Sequence, residues 1–250
     1  IADHPLVQPN AGLDTTAYAN LARQVVSGDL GLGPGLYYVS PLYIYFVAAW
    51  LAVTDSFMAV RLAQITLGTA AVGLAFLTAR EWYSQRAAWF AAGVTALTGL
   101  FTFYEVLILQ AALDPFLTAA ALYALARGLA RTEARAVALA GALMGLASLN
   151  RPNMLLAGAG LAVLLFGLGF ARAQRSFLPG RRGRLGLALA VGLAAGLTPA
   201  IARNVLVAGQ WTFASSHGGL NFYMGNNADA TGFYRAPPGV SATKSSIARP

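Results

Sequence analysis

Residues 57–79 read FMAVRLAQITLGTAAVGLAFLTA, and Arg61 is the single charged residue in this run. A helix needs about 20 consecutive apolar residues to cross the hydrocarbon core of a bilayer. Helices are suited to that environment because they satisfy their own backbone hydrogen bonds. The composition points the same way, since 57% of the residues are apolar and only 10% are charged, against about 25% charged in soluble proteins. The run predicts a membrane-spanning helix.

Further apolar runs bounded by charged residues follow along the chain. They predict an all-α, polytopic membrane protein with about six transmembrane helices, at residues 57–79, 87–104, 113–130, 135–149, 154–171 and 185–202. Two of these runs contain glycines at four-residue spacing, namely Gly141 with Gly145 and Gly192 with Gly196. Such pairs let helix backbones approach closely in lipid. We therefore expect these two helices to pack tightly.

The basic residues indicate the orientation in the membrane. Ten of the seventeen lie in three alternate loops, which marks those loops as cytoplasmic: Arg80, Arg86, Arg127, Arg131, Arg135, Arg172, Arg175, Arg181, Arg182 and Arg184. Seven of the nine acids then fall on the opposite side or at its edge. The net charge of +8 is thus explained by topology, and no nucleic-acid partner is expected.

The segment at residues 41–53, PLYIYFVAAWLAV, decides where the N-terminal part lies. It is too short to span comfortably and is rich in aromatic residues that prefer the headgroup region, so we predict an interfacial helix. If it spanned instead, residues 1–40 would lie in the cytoplasm. We predict a first external loop at 1–56, a transmembrane helical domain at 57–202 and a truncated external loop at 203–250. This layout implies a fragment of a seven-helix module whose first helix is missing.

Asp14 is the first candidate for chemistry. It lies at the start of a segment in which Leu13, Ala17, Leu21 and Val25 recur at helical spacing. That spacing predicts a short amphipathic helix along the membrane surface. The carboxylate is open to two interpretations, either a functional group or a cap for the free N–H groups of the first turn.

Further candidates lie in the predicted external turns. Asp114 and Glu105 belong to one short loop and could ligate a divalent cation or bind a polar substrate, although a helix cap also explains Asp114. Arg151 is the one charge in the turn Asn150-Arg-Pro-Asn153. Its guanidinium suits a phosphate, while snorkelling or pairing with Asp114 is the alternative. Arg203, at the exit of the last predicted helix, has a similar claim.

The tail after Arg203 is polar and rich in turn residues. It contains Ser215-Ser-His217-Gly-Gly219-Leu-Asn221-Phe-Tyr223-Met-Gly225-Asn-Asn227. Side chains such as His217 and Asn221 supply neutral donors and acceptors that suit sugar hydroxyls. A loop that packs on the membrane surface is the alternative.

Taken together, these motifs resemble the C-type glycosyltransferases (GT-C fold), among them protein O-mannosyltransferases and lipid A aminoarabinose transferases. The resemblance rests on Asp14 with Tyr18 and Gly28-Asp29, Ser40-Pro-Leu-Tyr43, Leu113-Asp-Pro115, Asn150-Arg-Pro-Asn153 and the tail just quoted. It implies about seven membrane helices and a large first external loop.

The resemblance also implies a function. A sugar would pass, with inversion, from a polyprenyl-phosphate donor to a protein, lipid or glycan acceptor on the periplasmic or extracellular face of the bacterial inner membrane. Asp14 would be the general base, Asp114 the carboxylate of the second loop and a possible Mg or Mn ligand, and Tyr18 a substrate contact. Arg151 or Arg203 would hold the phosphate in place of a lysine that many relatives carry. A transporter or lipid flippase is the alternative, but its charges would line the midplane.

Overall fold

The computed structural model describes residues 8–10, 13–172, 180–213, 215, 217–227, 230 and 232, and these contain helices and no strand. A single 3-10 turn at Gln110–Ala112 precedes α6. The helices are α1 Leu13–Val26, α2 Pro41–Thr54, α3 Phe57–Trp82, α4 Gln85–Leu97, α5 Gly99–Glu105, α6 Asp114–Arg131, α7 Ala134–Ser148, α8 Met154–Arg172, α9 Arg181–Ala208 and α10 His217–Asn226.

The predicted helix at 41–53 forms as α2, and it is held by protein contacts along one side. Its Tyr43, Ile44 and Val47 are almost fully buried. They share a hydrophobic core with Leu21 of α1 and Leu117 of α6. Asp55 ends α2 in the left-handed conformation, with its N–H bonded to the Leu51 carbonyl. This core fixes α1 and α2 against the start of α6.

The glycine pairs lie where α7 and α9 touch, as the sequence predicts. A Cβ atom on Gly192 would overlap the carbonyl oxygen of Ala138 on α7, and one on Gly141 would overlap that of Leu189 on α9. Gly145 and Gly196 approach the facing backbone in the same way. The two backbones are therefore too close to admit a side chain.

We expect Gly192→Ala to destabilise the full-length protein by about 1 to 3 kcal/mol, because the added methyl group overpacks a backbone contact. Thermal unfolding in detergent measures the change. Gly160→Ala is the matched control, since a Cβ there meets nothing within 4 Å and alanine is the better helix former. Equal melting temperatures for the two variants would contradict the packing described here.

The prediction of about six transmembrane helices is only partly correct. All six predicted segments are helical, but among the described residues only α3 and α9 are long and apolar enough to cross a membrane. The pair α4 and α5, bent by 52° at its break, is a possible third span. The shortfall has physical causes. α7 has 15 residues, or about 22 Å of helix against about 30 Å of hydrocarbon, and α6 carries three charged residues.

Candidate active site

Tyr18, in the first predicted external loop, contacts Gln110, in the loop that precedes α6. The Tyr18 side chain is 4% exposed, and its hydroxyl lies 2.6 Å from the side-chain amide of Gln110. The amide orientation that suits every neighbour donates from nitrogen to Tyr18 and, at 3.1 Å, to the Asn150 carbonyl, while its oxygen accepts from Arg151 Nη1 at 3.2 Å. Gln110, which lies just before α6, therefore joins α1 to the turn between α7 and α8.

Asp114 uses both of its carboxylate oxygens in this cluster. Oδ1 accepts from Asn150 Nδ2 at 2.6 Å, and Oδ2 accepts from Arg151 Nε at 2.8 Å. Leu113 occupies the N-cap position of α6, where no side-chain cap hydrogen bond is present. Asp114 therefore does not cap α6 with its side chain, and its pairing with Arg151, which was the alternative interpretation of that arginine, is observed.

Asn150 holds Asp114 in place for its pairing with Arg151. It is fully buried, and its amide donates to the Gln110 carbonyl at 2.9 Å as well as to Asp114. The side chains of Asp114 and Arg151 are 32% and 41% exposed. One end of the pair is thus anchored in the protein, and the other remains accessible.

Asp14 lies in the first turn of α1, one turn before Tyr18, and its side chain is exposed. The pKa of Tyr18 is raised well above its ordinary value, first by burial and next by the negative charge of Asp14. Arg151 lowers this pKa and Asp114 raises it. The structure thus brings Tyr18, Arg151 and Asp114 together through Gln110, and Asp14 lies one turn from Tyr18 in α1.

Two cavities open on either side of the Asp114–Arg151 pair. The first, of about 310 Å³, is also lined by Asn153 and Met154. The second, of about 410 Å³, is mostly apolar and is lined by Leu100, Phe101, Tyr104, Ala111 and Pro115. Asp114, Thr118 and Arg151 line both. A cavity of mixed polar and apolar lining and a mostly apolar one thus meet at the ion pair.

The surroundings of Asp114 fit a metal ion poorly. Both carboxylate oxygens face hydrogen-bond donors, one of them a guanidinium. Within the part of the chain that the structure describes, no group of three His, Cys, Asp or Glu side chains could hold a metal ion. The Mg or Mn ion suggested at Asp114 stays a prediction, and no chemical step is derived through it.

The sequence of this chain matches a known protein family. The sequence pattern described as dolichyl-phosphate-mannose-protein mannosyltransferase matches residues 38–198, more than half of the chain. The chain belongs to this mannosyltransferase family. The predicted likeness to C-type glycosyltransferases is confirmed. Neither a curated protein nor a solved structure gives a significant match.

The mannosyltransferase match covers only part of the cluster. Asp114, Asn150 and Arg151 lie inside the matched region, whereas Asp14 and Tyr18 precede it. The link from Tyr18 to Gln110 is therefore what ties the N-terminal carboxylate to the part of the chain that carries the family pattern.

Arg203 lies away from this cluster and holds the first loop. Its guanidinium donates to the carbonyls of Gly31, Gly33 and Gly35, and it stacks 4.4 Å from the centre of the Tyr37 ring. These contacts occupy both terminal nitrogens. A role for Arg203 in binding the donor stays a prediction, but the contacts seen here are structural.

Glu105 also faces the protein. Its carboxylate packs onto Gly68 of α3, where a Cβ would overlap it. Its carbonyl accepts from Gln64 Nε2 at 2.7 Å, and Gln64 Oε1 accepts from the Tyr43 hydroxyl at 2.6 Å. Gln64 is fully buried and joins α2, α3 and the segment after α5. Sequence reasoning passed over it, although a glutamine inside an apolar helix is itself a signal.

Within the predicted loop at 203–250, residues His217–Asn226 form the helix α10. The amides of Asn226 and Asn227 donate to the carbonyls of Phe222 and Tyr223 at 2.8 and 2.9 Å, which satisfies groups that a helix end leaves free. The side chains of His217 and Asn221 lie outside the described residues, so their predicted role in sugar binding stays a prediction.

Proposed function

We propose that the full-length protein transfers one mannosyl group from a polyprenyl-phosphate donor to a hydroxyl of an acceptor on the non-cytoplasmic face of a bacterial inner membrane. The acceptor is a protein, lipid or glycan. One observation carries the proposal: an ion pair, half accessible, lies where a cavity of mixed polar and apolar lining meets a mostly apolar one. A lipid-phosphate sugar needs such a place, because its phosphate separates a polar sugar from an apolar chain.

In the proposed reaction the acceptor oxygen attacks the anomeric carbon as the bond from that carbon to the phosphate oxygen breaks. The electron pair of that bond leaves with the polyprenyl phosphate. Asp14 takes the proton of the acceptor hydroxyl, and Arg151 stabilises the departing phosphate. Attack opposite the leaving group inverts the configuration of the sugar.

The position of the polar groups in α3 supports an enzyme over a transporter. Arg61 donates to the Val106 carbonyl at 3.1 Å, and Gln64 donates to the carbonyls of Glu105 and Leu107. These side chains join a helix to a loop. Charged groups of a transporter would instead line a path across the midplane.

A transfer assay tests the proposed function. Vesicles that contain the full-length protein are supplied with radiolabelled mannose either on polyprenyl phosphate or on a nucleotide. We expect label to appear on an acceptor only from the lipid donor, with polyprenyl phosphate released in equal amount. Transfer from the nucleotide sugar in lipid-free conditions would overturn the proposal.

The membrane face is tested by cysteine labelling with an impermeant thiol reagent, since the chain has no cysteine of its own. Asn20→Cys and Asn153→Cys should react from outside in intact cells, and Arg182→Cys should react only after the membrane is opened. All three positions are exposed, so access to reagent depends on sidedness. Labelling of position 153 without position 20 would contradict a shared face for α1 and the turn after α7.

A further inference from the structure

Thr118 is placed at the junction of the two cavities. It lies four residues after Asp114 in α6, a spacing that puts both side chains on one face of a helix. It lines the cavity of mixed lining and the mostly apolar one, as only Asp114 and Arg151 also do among the lining residues of these two. Thr118 is half-buried and so can be reached from either cavity.

Most threonines in or beside these helices bond to their own helix, whereas the hydroxyl of Thr118, like those of Thr15 and Thr102, makes no such bond among the described residues. Seven of them donate to the carbonyl four residues earlier: Thr54, Thr66, Thr69, Thr78, Thr95, Thr98 and Thr198. Such bonding satisfies a hydroxyl in an apolar setting. In the described part of the chain, the Thr118 hydroxyl makes no hydrogen bond to another residue. It is left free beside an arginine.

We propose that Thr118 donates its hydroxyl hydrogen bond to the phosphate of the lipid-linked donor. The inference rests on the proposed function, which puts that phosphate between a polar sugar and an apolar chain. At the junction the phosphate would meet the Arg151 guanidinium on one side and the Thr118 hydroxyl on the other. A hydroxyl bonded to a charged oxygen contributes more than a neutral pair does.

Thr118→Val tests this proposal because valine keeps the branched shape and removes the hydroxyl. In the full-length enzyme we expect the donor KM to rise about tenfold, with kcat within a few-fold of the parent. Thr118→Ser should restore the parent KM. Thr69→Val is the matched control, because Thr69 is exposed and bonded to its own helix, and its donor KM should not change.

Inhibition by polyprenyl phosphate that carries no sugar identifies the group contacted. If Thr118 binds the phosphate, Thr118→Val should weaken this inhibition by the same factor as it raises the donor KM. Unchanged inhibition with a raised KM would mean contact with the sugar and would overturn the proposal, as would an unchanged KM. Failure of the proposed function looks different, since the parent enzyme itself would then transfer no sugar from the lipid donor.

Discussion

Arg151→Ala should raise the donor KM of the full-length enzyme roughly 10- to 100-fold, the range for loss of a hydrogen bond between charged groups. Arg151 donates a hydrogen bond from Nε to Asp114 and one from Nη1 to the side-chain oxygen of Gln110. Its Nη2 makes no hydrogen bond to another described residue, which leaves a donor for an incoming phosphate. Arg151→Lys should recover little, because a lysine cannot hold Asp114 and a phosphate in the same geometry.

The effect of Asp114→Ala should depend on Arg151. Removal of the carboxylate frees the guanidinium from its partner at 2.8 Å and from the orientation needed to meet the phosphate. In a double-mutant cycle on donor affinity we expect a coupling of about 0.5 to 3 kcal/mol. Because both side chains of the pair are partly exposed, solvent screens their charges. We therefore expect a coupling energy near the low end of this range.

The pair Arg131–Glu81 is the control for this cycle. It joins α6 to the end of α3 at 3.3 Å, at the other end of α6 from Asp114. The same cycle on these two residues should leave the donor affinity unchanged. Additive losses for Asp114 and Arg151, or equal coupling in both cycles, would contradict a role for the first pair in donor binding.

Much of the fold follows from local patterns in the sequence. Apolar runs place the helices, and glycines at four-residue spacing predict which helices pack closely, while the contact of α7 with α9 is seen only in the structure. The bend at Thr98 was not predicted, and the run at 135–149 was predicted as a span although the helix it forms, α7, has only 15 residues. A break in an apolar helix costs little free energy when neighbouring groups satisfy the freed backbone hydrogen bonds. The apolar composition of the run therefore does not reveal where the break lies.

The charged residues of the candidate site and Tyr18 were predicted, whereas Gln110 and the role of Asn150 were missed. Asp114 and Arg151 stand out because charges are rare in this chain. Gln110 and Asn150 connect them to Tyr18, and the contact between Tyr18 and Gln110 spans 92 residues of sequence. No local pattern encodes such a contact. A polar amide that lies directly before a charged residue in a turn, as Asn150 does, is the one signal available.

Arg203 shows why charge alone does not assign a role. Its position at the exit of the helix predicted at 185–202 suggested a phosphate contact, yet α9 continues to Ala208 and the loop after α1 brings three carbonyls to Arg203. Asp29 shapes the same loop by accepting from Gln24 Nε2 at 2.6 Å and from the Gly33 N–H at 3.0 Å, and these bonds lower its pKa. The partners of Arg203 are backbone atoms, which sequence patterns do not display.

Asp14→Asn should give the largest loss of turnover. Asparagine keeps the size of aspartate and its ability to cap the first turn of α1, but it does not accept a proton at neutral pH. The parent carboxylate is exposed and lies one turn from Tyr18, so the change leaves the contact between Tyr18 and Gln110 untouched. Folding, donor binding and the melting temperature should therefore stay close to those of the parent.

Asp55→Asn is the matched control for this substitution. Asp55 is an exposed aspartate in the first loop that ends α2 in the left-handed conformation, with φ of 47°, and asparagine accepts that conformation readily. Its variant should transfer sugar at the parent rate. A loss in both variants would indicate a general sensitivity of the loop and not base catalysis.

The most direct test is the turnover of full-length Asp14→Asn enzyme at saturating polyprenyl-phosphate mannose, beside the parent and the Asp55→Asn control. Loss of base catalysis predicts a kcat roughly 10²- to 10⁴-fold below that of the parent, with unchanged donor affinity. A kcat within a few-fold of the parent would make Asp14 a structural residue and would contradict the assignment of the catalytic base.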